Sequence, residues 1–378
     1  MSRCAATHGI MLKTMDKLND KFRGCMIGGA AGDALGYAVE FMPEQQIFSK
    51  HGENGITSYS FVNDKALISD DTQMSLFTAA GLLLGSTRAR ERGIFGGYSV
   101  YIAKCYEEWL ETQEPSAKKH ECVTWLMCIP ELHSRRAPGN TCITSIKKGC
   151  NGSLENPINH SKGCGGVMRA APIGLYLAKQ GLPQDEIDLI GAQSAALTHG
   201  HELGYIPAAA LVHIISLLTK NEGMSIKEAA ADSIAAMKKM FADSEHIGEF
   251  TEIMTRALKL AESETDDIAA IHSLGEGWVA EEMLAIAVYC AVKYSGDFEK
   301  CITAAVNHEG DSDSTGAVAG NIVGTYLGYE KIPAKFKEKL EIADVILEIA
   351  DDLYQDGRMC PDRANKYVKC AEIKAYKD

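Results

Sequence analysis

Apolar residues recur at three- and four-residue intervals along most of this chain, and that period predicts helices. The segments 20–37, 71–85, 98–111, 185–197, 203–220, 226–241, 247–261, 280–294, 298–306, 314–328 and 335–355 all carry it. Only 56–62 reads as a strand. The expected fold is therefore all-α, a single-domain orthogonal helical bundle. Stretches without the period fall at 38–69, 113–170 and 262–279, and irregular stretches of that length in a compact domain are more often functional than idle. Residues 1–18 are expected to form a loose leader and 19–378 one domain, because no linker-like or low-complexity stretch divides the chain.

Two of these helices carry glycine at every fourth position: Gly24, Gly28, Gly32 and Gly36 in one, and Gly316, Gly320, Gly324 and Gly328 in the other. Each glycine inside a helix costs about 1 kcal/mol against alanine, so the repetition needs a structural reason. A smooth glycine stripe lets another backbone come close. The two helices are expected side by side at the centre of the bundle, with packing of each against a third helix as the alternative. Side by side, they would bring Asp33 and Glu40 toward Asp311.

Composition narrows the classes. With 46% hydrophobic residues the chain can bury a large core, and a net charge of -13 speaks against a partner with a phosphate backbone. Twelve cysteines occur without a Cys-x-x-Cys pair, which disfavours zinc. The beginning of the chain shows no apolar signal region and no run of 18 apolar residues occurs, so no membrane association is expected. A cytoplasmic monomer with reduced thiols is the expectation.

Chemistry concentrates in two acidic clusters, Ser69-Asp70-Asp71 and Asp311-Ser312-Asp313-Ser314, each immediately before a helix-periodic run. Asp70 and Asp311 read either as helix N-caps or as ligands. Capping alone does not explain why both helix starts also carry a second carboxylate and a hydroxyl. An oxygen-only set of this kind suits a hard divalent cation such as Mg2+ or Mn2+. The implied class is a metal-dependent hydrolase.

Five blocks then resemble a known family. They are the run from Phe22 to Gly36 (FRGCMIGGAAGDALG) with Glu40, then Ser69-Asp70-Asp71-Thr72-Gln73-Met74, then the run from Gly163 to Gly174 (GCGGVMRAAPIG), then Leu197-Thr198-His199, and finally Gly310-Asp311-Ser312-Asp313-Ser314. Together, and in this order, they resemble the ADP-ribosylglycohydrolase family. The resemblance implies an all-α fold around a central cleft with two metal ions, Mg2+ or Mn2+, and hydrolysis at C1 of a ribose. ADP-ribose or an ADP-ribosylated protein would be the ligand. It assigns Ser69, Asp70, Asp71, Asp311, Asp313 and Ser314 as metal ligands, with serine at 314 where many members carry threonine. Glu40 is implied as the carboxylate that orients or deprotonates water, with Asp311 and Asp70 as competing choices.

The remaining implied contacts are on the ligand side. Gly163, Cys164, Gly165 and Gly166 would form a loop that cradles pyrophosphate with backbone N–H groups, with Val167 and Met168 next to it as further substrate-binding residues. Read alone, it is a turn. Cys164 has no partner histidine placed by the sequence, and Arg169 either meets a phosphate or braces the loop from inside. His199 would contact the ligand near the phosphates or the distal ribose, with a structural histidine as the alternative. Gly275 and Trp278 match the segment on the adenine side, where Trp278 either stacks on the base or fills core. One departure concerns the linkage: some members carry an acid just before Gly-Asn-Thr, whereas this chain reads Arg135-Arg136-Ala137-Pro138-Gly139-Asn140-Thr141. That leaves arginine and serine linkages unresolved. The alternatives are a hydrolase of a small ADP-ribose conjugate or of an ADP-ribosylated nucleobase, and an ADP-ribose-binding protein without turnover.

Overall fold

The computed structural model describes residues 2–361 apart from 94, 115 and 118, and for residues 2–16 it describes only the backbone. Fifteen α-helices dominate it: α1 Ser2–Gly36, α2 Glu44–His51, α3 Asp70–Arg92, α4 Tyr98–Gln113, α5 Asn140–Lys147, α6 Ala171–Gln180, α7 Gln184–Ala196 and α8 Glu202–Lys220. They continue with α9 Ile226–Met240, α10 Ile247–Ala261, α11 Asp267–Leu274, α12 Ala280–Lys293, α13 Phe298–Val306, α14 Ser312–Leu327 and α15 Ala343–Gln355. The backbone of α1 is helical through the stretch expected as a leader.

At the centre α1 and α14 run antiparallel with their glycine stripes in register. Gly24 faces Gly324, Gly28 faces Gly320, Gly32 faces Gly316 and Gly36 faces Ser312. A side-chain carbon at any of these glycines would come within 3.0 Å of the opposing backbone, closer than such carbons sit. This closeness is the reason for the stripes. A bond of 2.8 Å from Asn321 Nδ2 to the Cys25 carbonyl adds a polar link across the seam. Arg23 pairs bidentately with Asp351 at 2.6 and 2.7 Å, fastening α1 to α15. Because the helices are antiparallel, the end of α1 and the start of α14 meet at one end of the seam. The carboxylates gather there.

Helix α8 is long and apolar enough to cross a membrane, yet it packs against α6, α7 and α9 as a core helix.

Several elements differ from the expectation. Helices α2, α5 and α11 lie in stretches expected to be irregular, and α6 is the helix-like segment that follows the glycine loop, for which the sequence set no bounds. The helix expected from 335 starts only at Ala343. Residues 339–341 instead run beside Ala66, with Ala66 N donating to the Lys339 carbonyl and Glu341 N to the Ala66 carbonyl, both at 2.9 Å. The strand expected at 56–62 shrinks to a hairpin, β1 Phe61–Val62 and β2 Lys65–Ala66. Its turn residues Asn63 and Asp64 both have positive φ, as tight hairpin turns require.

Candidate metal centre and cleft

Helix α3 begins beside the end of α1, and two residues cap it. Ser69 stands at the N-cap and its Oγ accepts from Asp71 N at 3.2 Å. Asp33, reaching across from α1, accepts from Ser69 N at 2.9 Å, from Thr72 N at 3.1 Å and from the Thr72 hydroxyl. Burial, followed by the charge of Asp313, raises the Asp33 carboxyl to about 7. The orphan amides of the first turn are thus satisfied without Asp70 or Asp71. Asp70 Oδ2 accepts from Gly139 N at 3.2 Å, and the Asp71 carboxylate accepts from Ser314 Oγ at 2.9 Å.

Helix α14 also starts at its acidic cluster. Asp311 holds its N-cap position but makes no capping bond; its Oδ2 accepts from Cys164 Sγ at 2.7 Å. Asp311 N donates to the Glu276 carbonyl at 2.9 Å, and the preceding Gly310, at φ 137°, lies where any side chain would strike that carbonyl. Asp313 Oδ1 accepts from Ser314 N at 3.0 Å. The capping reading of Asp70 and Asp311 therefore fails: other groups cap α3, and the Asp311 side chain caps nothing. Both carboxylates line a cleft of about 740 Å³ together with Glu40, Asp71, Asp313 and Ser314. A hollow of about 800 Å³ around Arg88 and Lys104 is slightly larger but lacks such a cluster.

Glu40 sits in the turn after α1, its N–H donating to the Gly36 carbonyl at 2.8 Å. Oxygens of Glu40, Asp311 and Asp313 all lie within 4.8 Å of one another, and Glu40 Oε2 is buried with no hydrogen bond. Burial, then the charges of Asp313, Asp311 and Asp70, push the Glu40 carboxyl up to about 10. Burial and then Asp313 hold Asp70, Asp71 and Asp311 well above the usual carboxylate range. The charges that act on this group are other carboxylates. The chain alone does not compensate them, and an all-oxygen site of high negative charge with an orphaned carboxylate oxygen fits hard divalent cations.

The glycine loop forms another wall. Gly163, Cys164, Gly165 and Met168 line the cleft. Two amides expected to hold a ligand are already committed: Gly163 N donates to Ser161 Oγ at 3.3 Å and Cys164 N to the Trp278 carbonyl at 3.2 Å. Gly166 packs against Ala195 and Gly204, and Val167 is wholly buried in the core, so neither faces the cleft. Gly275 is likewise off the cleft; it ends α11 at φ 126° and lines a neighbouring hollow that shares Trp278. The Cys164 thiol, pushed up by burial and by Asp311 and Asp71, donates to a carboxylate and is no nucleophile.

His199 is buried except where it meets the cleft, and burial followed by the Arg169 charge lowers it to about 3, so the ring is neutral. Arg169 does not reach the cleft. It lies under the loop with its guanidinium 4.3 Å from the Tyr106 ring centroid and its NH2 2.6 Å from Thr198 Oγ1. Arg136 pairs with Glu341 at 3.0 Å, and its carbonyl accepts from Asp70 N at 3.1 Å, so it braces the approach to α3; Arg135 lines the cleft. Ala137, at φ 51°, shares that wall.

Trp278 is not core. It is 39% exposed and stacks on Phe41, with centroids 5.7 Å apart and planes 19° apart. Phe41, 68% exposed beside Glu40, was missed in the sequence because an isolated aromatic in a loop carries no periodic signal. Asp33, expected to approach the Asp311 cluster, feels the charge of Asp313 there and spends its hydrogen bonds on the start of α3; Thr198 was seen only as part of a block.

The comparisons with known proteins agree with this geometry. The sequence model of the ADP-ribosylglycohydrolase family matches residues 14–362. ADP-ribosyl-[dinitrogen reductase] glycohydrolase of Rhodospirillum rubrum is 26% identical over 333 residues, covering 87% of this chain and 93% of its own. ADP-ribosylarginine hydrolase Tri1 of Serratia proteamaculans is 24% identical, covering 89% of this chain and 79% of its own. ADP-ribosylhydrolase ARH3 of Mus musculus is 24% identical over 52% of this chain and 58% of its own. A solved chain described as an ADP-ribosylglycohydrolase-related protein complex shares the fold at a TM-score of 0.59 and 21% identity, covering 90% of this chain and 99% of that one. The chain belongs to the ADP-ribosylglycohydrolase family of hydrolases.

Proposed function

We propose that the protein is a divalent-cation-dependent ADP-ribosyl hydrolase that cleaves the bond between ribose C1 and a protein side chain, releasing ADP-ribose. The observation that carries this reading is the freeing of Asp70, Asp71 and Asp311 from cap duty and their convergence with Asp313 and Glu40 in one cleft. Ser69, Asp70, Asp71, Asp311, Asp313 and Ser314 are the residues that would hold two cations, Mg2+ or Mn2+. Bound there, the cations supply charge neutralisation and polarise the ribose hydroxyls.

The chain's own groups supply the rest. Glu40, with one oxygen unpaired and buried at the cleft, would orient water and, once bound cations offset the neighbouring carboxylate charges that hold its proton on, take the proton of that water as the bond at C1 opens. The neighbouring carboxylates stabilise the positive charge that develops on the sugar. The wall of Gly163, Cys164, Gly165 and His199 receives the diphosphate side, and Phe41 with Trp278 keeps bulk water from one flank of the cleft. The name of the Serratia proteamaculans relative specifies ADP-ribosylarginine. Here no acid stands at 137, so we leave the side chain open between arginine and serine. Incubation with an ADP-ribosylated protein and Mg2+ or Mn2+ should release free ADP-ribose, detected by chromatography, and EDTA should stop it. Tight ADP-ribose binding without release would instead mark a binding protein.

A further inference from the structure

We infer that buried Arg169, acting through Thr198, locks His199 in the tautomer that carries its proton on Nε2, so that the cleft presents a donor there and selects a ligand acceptor. The inference deepens the function proposed above and rests on that reading for the identity of the ligand.

The argument is a count of protons. Arginine is donor-only, and Arg169 NH2 lies 2.6 Å from Thr198 Oγ1, so the hydroxyl accepts there. The hydroxyl has one proton left to give. Its two possible acceptors are the Ala195 carbonyl at 3.5 Å, a poor distance for an O–H donor, and His199 Nδ1 at 2.8 Å. The proton goes to Nδ1. Because burial beside a cation keeps the ring neutral, Nδ1 as acceptor obliges Nε2 to hold the ring proton. Nε2 is also the nitrogen turned to the loop wall: a side-chain carbon at Gly163 would lie 3.5 Å from it and one at Gly165 3.3 Å. A lone pair must meet it from the cleft, as a phosphate oxygen of ADP-ribose would offer.

Arg169 suits this task because nothing competes for its direction. It is wholly buried, and its other named partners are neutral: Met74 Sδ at 3.5 Å, Cys142 Sγ at 3.4 Å and the Ser194 carbonyl at 3.5 Å. A buried cation without a carboxylate is costly, and its Nε has no hydrogen bond. A guanidinium cannot lose its proton, so the Thr198 hydroxyl is held in one orientation at every working pH. Arg169 and Thr198 are thus positioning residues: neither lines the cleft, and both act through His199.

The test uses the whole chain with 15N-labelled histidine and long-range proton–nitrogen correlation, the His199 signals being assigned by their loss in His199→Asn. The parent without ligand should show the Nε2–H form alone. Thr198→Val keeps the shape but removes the donor to Nδ1, so an Nδ1–H population should appear and ADP-ribose affinity by calorimetry should fall about tenfold. Thr198→Ser should restore both, which loss of packing could not explain. An Nδ1–H or doubly protonated ring in the parent overturns the inference, as does a Thr198→Val protein with unchanged tautomer and unchanged affinity. The spectroscopic arm needs no ligand. If the parent shows the Nε2–H form but ADP-ribose does not bind, the proposed function fails while the lock stands.

Discussion

Removing the cations should reveal how poorly the chain tolerates its own cleft. Oxygens of Glu40, Asp311 and Asp313 lie within 4.8 Å of each other, a distance at which two ionised carboxylates repel by about 3.5 kcal/mol at an effective dielectric near 20. Cations that bind only the folded form stabilise it by linkage, about 2.7 kcal/mol at a hundredfold excess over Kd. With 378 residues and an unfolding entropy of about 2.1 cal/mol/K per residue, that energy corresponds to a rise of about 3 °C in Tm. Scanning calorimetry with EDTA and with Mg2+ or Mn2+, at matched ionic strength, measures it. Asp313→Asn gives the sharper test because it moves two quantities in opposite directions: it removes one repelling charge, so Tm in EDTA should hold or rise, while the increment due to cations should largely vanish. A parent with equal Tm under both conditions, or an Asp313→Asn protein that keeps the full increment, would refute the reasoning.

Other outcomes follow from single contacts. Glu40→Gln should lower turnover by about 100-fold or more with little change in ADP-ribose affinity, checked by rate measurement beside calorimetry, since only the charge that handles water is lost. Gly320→Ala should destabilise the fold by about 1–3 kcal/mol in chemical denaturation despite the gain in helix propensity, because its methyl meets the Gly28 carbonyl across the seam. His213, in α8, sits between Asp188 at 2.7 Å and Asp232 at 2.8 Å; burial pulls its pKa down, but the two carboxylates outweigh this and raise it. Its contribution is therefore full below its unfolded value of about 6.5 and is lost as pH rises through the raised folded value. The Tm gap between the parent and His213→Gln should shrink on going from pH 6 to pH 9.

How much of this was legible depended on whether a residue's partner is near in sequence or repeated in pattern. The central helix pair was readable because glycines at a four-residue spacing encode a close approach on both sides of the contact. The extent of helix α6 was not, since it is buried all round over 171–178 and shows no amphipathic period. The start of α15 was misplaced because residues 339–341 are held by Ala66, a contact about 270 residues away in the chain. In the cleft, residue types named the carboxylates, but only the fold shows that Asp33 and Ser69 relieve Asp70 and Asp71 of capping and that the Asp311 side chain caps nothing. The glycine loop erred the other way. Its composition promised a row of free amides, but the neighbouring Ser161 hydroxyl takes the Gly163 amide and the distant Trp278 carbonyl takes that of Cys164.

The central claim is that the carboxylates freed at the starts of α3 and α14 hold divalent cations against the ribose of ADP-ribose. A crystal grown with Mn2+ and ADP-ribose, measured near the manganese absorption edge, tests it most directly. The account predicts anomalous peaks between Asp70–Asp71 and Asp311–Asp313, with the ribose against them and Glu40 turned toward C1. ADP-ribose bound elsewhere, or bound in this cleft with no manganese beside those carboxylates, would contradict it.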